Sequence, residues 1–473
     1  MKNFVEMGFG KTERELEIDN LPVQGKMPEW LEGSFIRNGP GTFEVGEQKY
    51  RHWFDGLAML HKFSFKEGKV SYRNKFLECK AYNEAMETGK IAYSEYATDP
   101  CRSLFHRVTA VFDQKITDSA KVNISKITDH YLALSETSHQ IEVDPHSLKS
   151  LGEYNYETKY KQHITTVHPT YDFSTGEVFQ LITRFSRLSH YRMIRIKPDG
   201  KKEVVGEIPV TYPAYLHSFG MSRNYLILAE FPLVVYPLKL LFQLKPFIEN
   251  FKWKPRQGTT FWIMDRYNGK IAGKYITDSF FAFHHVNAFE KGNELILDID
   301  AYPDASIIDS FYINRLRDEN LELPFGLLKR YRIDLSGSGK IKEEILSDEC
   351  IEMPRFDYEK LNMNADYQYV YGLGVNKNHR KGFFNQLIKI DIKSQKSKTW
   401  FADHQYPSEP VFIAKPGSTR EDDGVVVTIV LDAEKGFSYL LVLDAGSFEE
   451  IGRAVVEQPI LIGYHGTYFP EVK

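Results

Sequence analysis

The stretch RYRIDLSGSGKIKEEIL, residues 330–346, decides the fold. An alternating apolar and polar run ends on Asp334, a glycine-containing turn follows, and a second alternating run begins. A period of two is that of a β-strand. An aspartate at the strand end opens the turn by accepting hydrogen bonds from the backbone that follows it. Working outward, the same pattern occurs in HKFSFKEGKVSY (61–72), HQIEVDPHSLKSLGEY (139–154), RMIRIKPDGKKEVVGEI (192–208), FWIMDRYNGKIAGKY (261–275), LIKIDIKSQKSKTWF (387–401) and YLLVLDAGSFEEIGRA (439–454). The residues that open the turns are Lys66, Asp144, Lys197, Asp265, Asp334, Asp391 and Asp444, so the hairpin recurs seven times. All-β units at a long repeat point to a propeller, with each hairpin the outer half of a blade. The units exceed a minimal blade, so insertions must collect on one face. No Pro/Gly/Ser-rich linker divides the chain. The reading is an all-β, seven-bladed β-propeller forming a single domain over residues 1–473. The alternative is a generic large β protein whose hairpins look alike because hairpin chemistry is limited.

Composition narrows the function. The net charge of −4 gives no basic footprint and excludes nucleic acid as a partner. Three cysteines, Cys79, Cys101 and Cys350, make no disulfide framework and no zinc spacing, which points to a reducing, cytoplasmic setting. The N-terminal residues lack the apolar core of a signal peptide, and no apolar run is long enough to span a bilayer. Aromatics make up 14% of the chain. They serve either a large β core or the wall of a tunnel for a flat apolar ligand. Two segments have the pattern of a helix lying in a membrane surface: SLFHRVTAVF at 103–112 and FPLVVYPLKLLFQLKPF at 231–247. Packing under a dome would account for them equally well, and Pro232, Pro237 and Pro246 argue against a span.

Four of the fifteen histidines stand at the ends of turn-bounded strands. They are His168 in TTVHPTYD, His217 in YLHSFGMS, His284 in FFAFHHVNAFE and His465 in LIGYHGTYFP. None lies at short metal-motif spacing, and any one alone reads as an ordinary structural histidine. A propeller changes that reading, because one residue per inner strand can face a common axis. Three carboxylates come from the units that lack one of these histidines: Glu136 in LALSETSHQ, Glu352 in ECIEMPRF and Glu409 in YPSEPVFI. A ligating imidazole needs an acceptor on its second nitrogen. Three glutamates for four rings leave one ring, His168, held otherwise. Surface exposure is the alternative for each glutamate.

The blocks FIRNGPGTFEVGEQKYRHWFDGLAMLHKFSF (35–65), TDPCRSLFHR (98–107), VHPTYD, YLHSFG, FHHVNAFE, YPSEPVF, EDDGVVVTIVL (421–431) and the terminal YHGTYFP resemble the carotenoid cleavage oxygenases, in that family's order and over nearly the whole chain. TDPCR and EDDGVV place the resemblance in the animal-type branch of β-carotene oxygenases and the retinal pigment epithelium isomerohydrolase. The resemblance implies a dome of loops and short helices over the metal face. It implies one Fe(2+) per chain held by His168, His217, His284 and His465, with Glu136, Glu352 and Glu409 orienting three of the rings. His284 rather than His285 matches the ligand position; His52, His61 and His163 match none. The implied reaction is dioxygen-dependent cleavage of an apolar polyene, β-carotene to retinal, at a peripheral membrane surface. Retinyl-ester isomerohydrolysis, or cleavage of apocarotenoids or stilbenes, is the alternative on the same site. A non-enzymatic binding propeller fits least, because the repeats lack WD-type residues.

Overall fold

A computed structural model describes residues 2–100, 116–154, 164–241, 245–337 and 339–473. Seven antiparallel sheets form a seven-bladed β-propeller with few helices. From the axis outward, blade 2 runs Asn123–Ile127, His130–Leu134, Ile141–Val143, Ser150–Glu153. Blade 3 has Thr170–Asp172 with Ile164–Thr165 innermost, then Glu177–Arg184, Ser189–Ile196 and Lys202–Val210. Blade 4 comprises Gly220–Met221, Tyr225–Glu230, Thr259–Asp265 and Ile271–Thr277. Blade 5 comprises His285–Lys291, Glu294–Ala301, Leu327–Asp334 and Ile341–Cys350. Blade 6 comprises Glu352–Arg355, Tyr369–Gly374, Gln386–Asp391 and Lys396–Phe401.

The ring closes twice. In blade 1 the C-terminal strand Gly466–Phe469 is innermost, ahead of Gly33–Thr42, Leu57–Lys66 and Lys69–Phe76, with Glu17–Ile18 at the rim. In blade 7 the N-terminal strand Val23–Gly25 adds to the outside of Glu450–Val456, beyond Phe437–Asp444, Gly424–Asp432 and the inner pieces Gln405–Pro407 and Val411–Ala414. Each end of the chain thus completes the blade begun by the other. A cluster holding Phe35, Phe63 and Tyr72 of blade 1 with Val425, Val427 and Val442 of blade 7 seals the seam. Comparable clusters join blades 1 and 2, 2 and 3, and 5 and 6. Each fully buried aliphatic or aromatic side chain there contributes about 1.5–3 kcal/mol. Strands pressed between two blades, such as Gly424–Asp432, are buried at every residue, whereas the rim strand Lys396–Phe401 is largely exposed. That is why VVVTIVL reads as a continuous apolar run and the outer strands alternate. Deleting residues 466–473 opens the ring; the product is expected to aggregate or to melt at least about 10 °C lower by calorimetry. An unchanged melting temperature would contradict the closure.

All seven predicted hairpins are the outer halves of blades. Asp265, Asp391 and Asp444 each accept backbone N–H bonds from residues two or three further on, as the sequence reading requires. In blade 1 the turn after Lys66 uses Glu67 (φ 50) and Gly68 (φ 72), two left-handed residues in succession, which is the hairpin geometry that matches strand twist. Antiparallel alternation puts these short turns on one face. The connections between second and third strands, and between blades, lie on the other face and carry the insertions: helix Lys80–Thr88, residues 231–241 with helix Pro237–Leu241 and residues 245–258, and residues 302–326 with helices Ser306–Ser310 and Ile313–Leu316.

Segment 103–112 lies outside the described residues. Segment 231–247 is not one continuous helix. Phe231, Leu233, Val234 and Val235 are buried in extended backbone, and among the described residues of the segment only Pro237–Leu241 is helical. Pro232 and Pro237 set these limits, since proline ends a helix that precedes it and suits one that follows. Among the described residues no helix is long and apolar enough to cross a membrane.

Candidate metal centre

Each of the four histidines sits at the axial start of a different blade, on the face that carries the insertions. His168 fills the break in the innermost strand of blade 3, where Pro169 has no N–H for the ladder. His217 precedes the inner strand of blade 4. His284 directly precedes that of blade 5, beside a bulge between His285 and Asn287 that turns the chain. His465 directly precedes Gly466–Phe469; its N–H donates to the Val122 carbonyl (3.2 Å) and its carbonyl accepts from Asn38 N–H (2.9 Å), which fixes it between blades 1 and 2.

These placements bring four ring nitrogens to one point. His168 Nε2 lies 3.1 Å from both His217 Nε2 and His465 Nε2, and His284 Nε2 lies 3.3 Å from His465 Nε2. All four ligand atoms fall within 4.8 Å of one another. The opposite nitrogens of three rings meet glutamates: His217 Nδ1 on Glu136 Oε1 (2.7 Å), His284 Nδ1 on Glu352 Oε1 (2.5 Å) and His465 Nδ1 on Glu409 Oε1 (2.8 Å). A carboxylate can only accept, so each Nδ1 carries the proton and donates it outward. Each Nε2 then presents a lone pair inward. Of these three, His284 Nε2 and His465 Nε2 face each other as lone pairs 3.3 Å apart, and a cation between them removes their repulsion; His168 Nε2, 3.1 Å from two of the others, joins them as a fourth ligand atom in the tautomer that carries its proton on Nδ1. The donor set therefore fits a divalent transition metal that takes imidazole ligands. Among the described residues the His168 ring makes its hydrogen-bond contacts through Nε2 alone.

Burial favours the neutral form of three of the rings. Desolvation pushes His168 and His217 down, and it drives His465 to about 4 although Glu409 opposes it. Burial works against ionisation of Glu409 and Glu352, but Arg355 and the His465 ring hold Glu409 at about 2, and the His284 ring with Asp300 and Tyr302 holds Glu352 at about 2. Arg355 donates to both its oxygens (2.8 and 3.1 Å), and Gly466 N–H donates to Oε2 (2.8 Å). Glu136 accepts from the Tyr215 hydroxyl (2.7 Å), and Glu352 accepts from the Tyr302 hydroxyl. Asp300 shares the buried site of Glu352, and desolvation next to that carboxylate pushes Asp300 far up, so it holds the proton that its neighbour lacks. Asp300, Tyr302, Tyr215 and Arg355 escaped the sequence reading. Asp300 left a visible trace: a charge inside the apolar strand ELILDIDA. His285 turns away to Ser218 Oγ (2.8 Å). His52 and His61 are buried and bonded to the Ile308 carbonyl and the Tyr72 hydroxyl, respectively. His163 lies outside the described residues.

The cluster lies between two cavities. On the insertion side, His217, His284 and His465 floor a cavity of about 270 Å³ walled by Trp53, Phe54, Tyr96, Phe247, Phe283 and Phe311. Phe283 stacks edge-on at 5.6 Å from the His217 ring. On the other side, His168 and Arg355 line a more polar axial cavity of about 620 Å³.

The profile of the family described as "Retinal pigment epithelial membrane protein" matches residues 9–470. The chain is 33% identical to the β,β-carotene 15,15'-dioxygenase of Gallus gallus over 510 aligned positions, covering 95% of each chain. It is 32% identical to the mitochondrial carotenoid-cleaving dioxygenase of Macaca fascicularis, covering 95% of this chain and 91% of that one. A cobalt-substituted Synechocystis apocarotenoid oxygenase superposes with a TM-score of 0.88 at 25% identity, over 99% of this chain and 98% of that one. Matched end to end in sequence and in fold, the chain belongs to the retinal pigment epithelial membrane protein family and is an enzyme of the carotenoid oxygenase class.

Proposed function

We propose that the chain cleaves one double bond of a carotenoid with dioxygen, giving two aldehydes, and that β-carotene is its substrate and retinal its product. His168, His217, His284 and His465 are the ligands of one Fe(2+), and Glu136, Glu352 and Glu409 hold three of the rings in the ligating tautomer. The convergence of four imidazole Nε2 atoms within 4.8 Å, three of them freed of a proton by a glutamate on the opposite nitrogen, carries the reading. Bound iron(II) supplies activation of dioxygen beside an alkene. The chain supplies the rest. The Nδ1–H donors are fixed outward, so no ring reorients when metal binds. Trp53, Phe54, Phe283 and Phe311 make a dry slot for a flat polyene and present π faces to positive charge developing along it. Residues 1–473 act as one domain.

Substrate entry from a membrane surface suits the rim of the aromatic cavity. Leu188, Tyr212, Tyr236 and Leu238 are exposed there, with Lys239 on the short helix and Lys254 over the Tyr212 ring. Vesicle flotation is expected to fall several-fold in a Leu188→Ser, Leu238→Ser double variant; equal flotation removes this surface from the account.

Product identification tests the reaction. Iron-loaded protein, β-carotene and 18O-labelled dioxygen are expected to give retinal carrying the label. Retinyl ester converted to an alcohol, with β-carotene untouched, would reassign the site to isomerohydrolysis. No conversion of either would overturn the enzyme reading of the cavity.

A further inference from the structure

The aromatic cavity contains one charged pair that the cleavage chemistry does not use. Lys121 Nζ donates to Glu95 Oε2 at 2.5 Å, and the two side chains are 4% and 1% exposed. Both line the cavity, beside Tyr96 and Val122. Val122 is the residue whose carbonyl holds His465, so the pair stands in the wall close to the metal centre.

The pair is incompletely bonded. Among the described residues, Lys121 Nζ makes this single hydrogen bond, although an ammonium carries three donors. Glu95 Oε1 is buried without a hydrogen-bond partner. Burying two charges is unfavourable unless their remaining donors and acceptors are satisfied. A purely hydrocarbon ligand would leave both unfilled. The neighbouring Asp55 carboxylate does not complete the pair: it accepts from Ala97 N–H, Thr98 Oγ1 and His52 N–H. Burial pushes Glu95 up to about 7 against the ammonium and the nearby Thr117 hydroxyl, which lowers it slightly but makes no hydrogen bond of good geometry to the buried Oε1.

A hydroxyl group supplies what is missing on both sides at once. Its O–H donates to Glu95 Oε1 and its lone pair accepts from Lys121 Nζ. A carbonyl could only accept, and a methyl group could do neither. We infer that the Glu95–Lys121 pair is a specificity subsite for a hydroxyl-bearing polyene, a hydroxylated carotenoid or an apocarotenoid alcohol, which it anchors in the aromatic cavity. The inference rests on the cavity being the polyene site of the proposed function. Within that site β-carotene is accepted and a hydroxylated polyene is held tighter.

Binding to metal-free protein tests the subsite without turnover. β-Carotene, its ring-hydroxylated derivative and an apocarotenol are titrated while quenching of tryptophan fluorescence is followed; Trp53 lines the cavity. At least one hydroxylated polyene is expected to bind about tenfold or more tighter than the hydrocarbon, and the preference is expected to vanish in a Lys121→Met, Glu95→Gln double variant. Wild-type protein that binds both hydroxylated polyenes no tighter than β-carotene overturns the subsite, whether or not the variant folds. A preference that survives in a folded double variant overturns it too. If none of the three polyenes quenches, the polyene reading of the cavity fails first, and the subsite with it. If the preference holds but nothing is cleaved after iron loading, only the reaction fails.

Discussion

His217→Ala is expected to abolish stoichiometric iron(II) binding and polyene cleavage while leaving a folded propeller. The loss follows from geometry. His217 Nε2 is one of four ring nitrogens gathered at a single point, 3.1 Å from His168 Nε2. Three imidazoles on three separate blades cannot move inward to close the gap, because each is fixed by its own backbone and two of them by carboxylates. Metal affinity should therefore fall by more than the roughly 10–100-fold typical of losing an outer partner. Stability should fall only modestly. Glu136 is left half-buried and keeps the Tyr215 hydroxyl as a donor. The cost is one charge-assisted hydrogen bond, about 1.5–3 kcal/mol. Iron analysis after anaerobic loading, far-ultraviolet dichroism and a thermal melt check the two halves. A folded variant that still binds one iron and turns over would remove His217 from the ligand set.

Glu409→Gln should lower iron(II) affinity by about 10–100-fold and leave measurable activity at saturating metal. The carboxylate has three jobs: it accepts from His465 Nδ1, from Arg355 and from Gly466 N–H. Glutamine keeps the shape but has one accepting oxygen and one donating amide. If the oxygen faces Arg355, the amide faces His465 Nδ1, which must then accept. The ring proton moves to Nε2, where it blocks the metal. If the oxygen faces His465, the guanidinium meets an amide donor. Either way the neutral side chain loses the attraction that holds Glu409 ionised at about 2. Iron titration against a competing chelator measures the loss. An affinity equal to wild type would show that His465 needs no carboxylate to stay in its ligating tautomer.

The fold was legible because the outer hairpins obey local rules. Asp334 or Asp444 specifies its turn with its own side chain, and the rim strands alternate because one face meets solvent. The metal face was less legible from spacing alone. His168 and His465 are 297 positions apart, and no local pattern reports that blade 1 is completed by the chain's last strand. The resemblance of VHPTYD, YLHSFG and YHGTYFP supplied that connection. What escaped were groups whose meaning depends on a neighbour from another blade. Arg355 reads as an ordinary surface cation until Glu409 stands beside it. Lys121 reads as an exposed residue of TDSAKVNI until Glu95 closes over it. Segment 231–247 divides for a local reason: Phe231 to Val235 pack in the dome core, Pro237 starts a short helix, and Tyr236 and Leu238 stay exposed, so each reading of the segment applies to different residues of it.

The most direct measurement is iron K-edge X-ray absorption on anaerobically loaded protein, with the metal content determined on the same sample. One iron per chain, with the multiple-scattering pattern of four imidazoles, is the predicted result. A shell dominated by carboxylate oxygens, or the same spectrum from a His465→Ala variant, would contradict a centre assembled from blades 1, 3, 4 and 5.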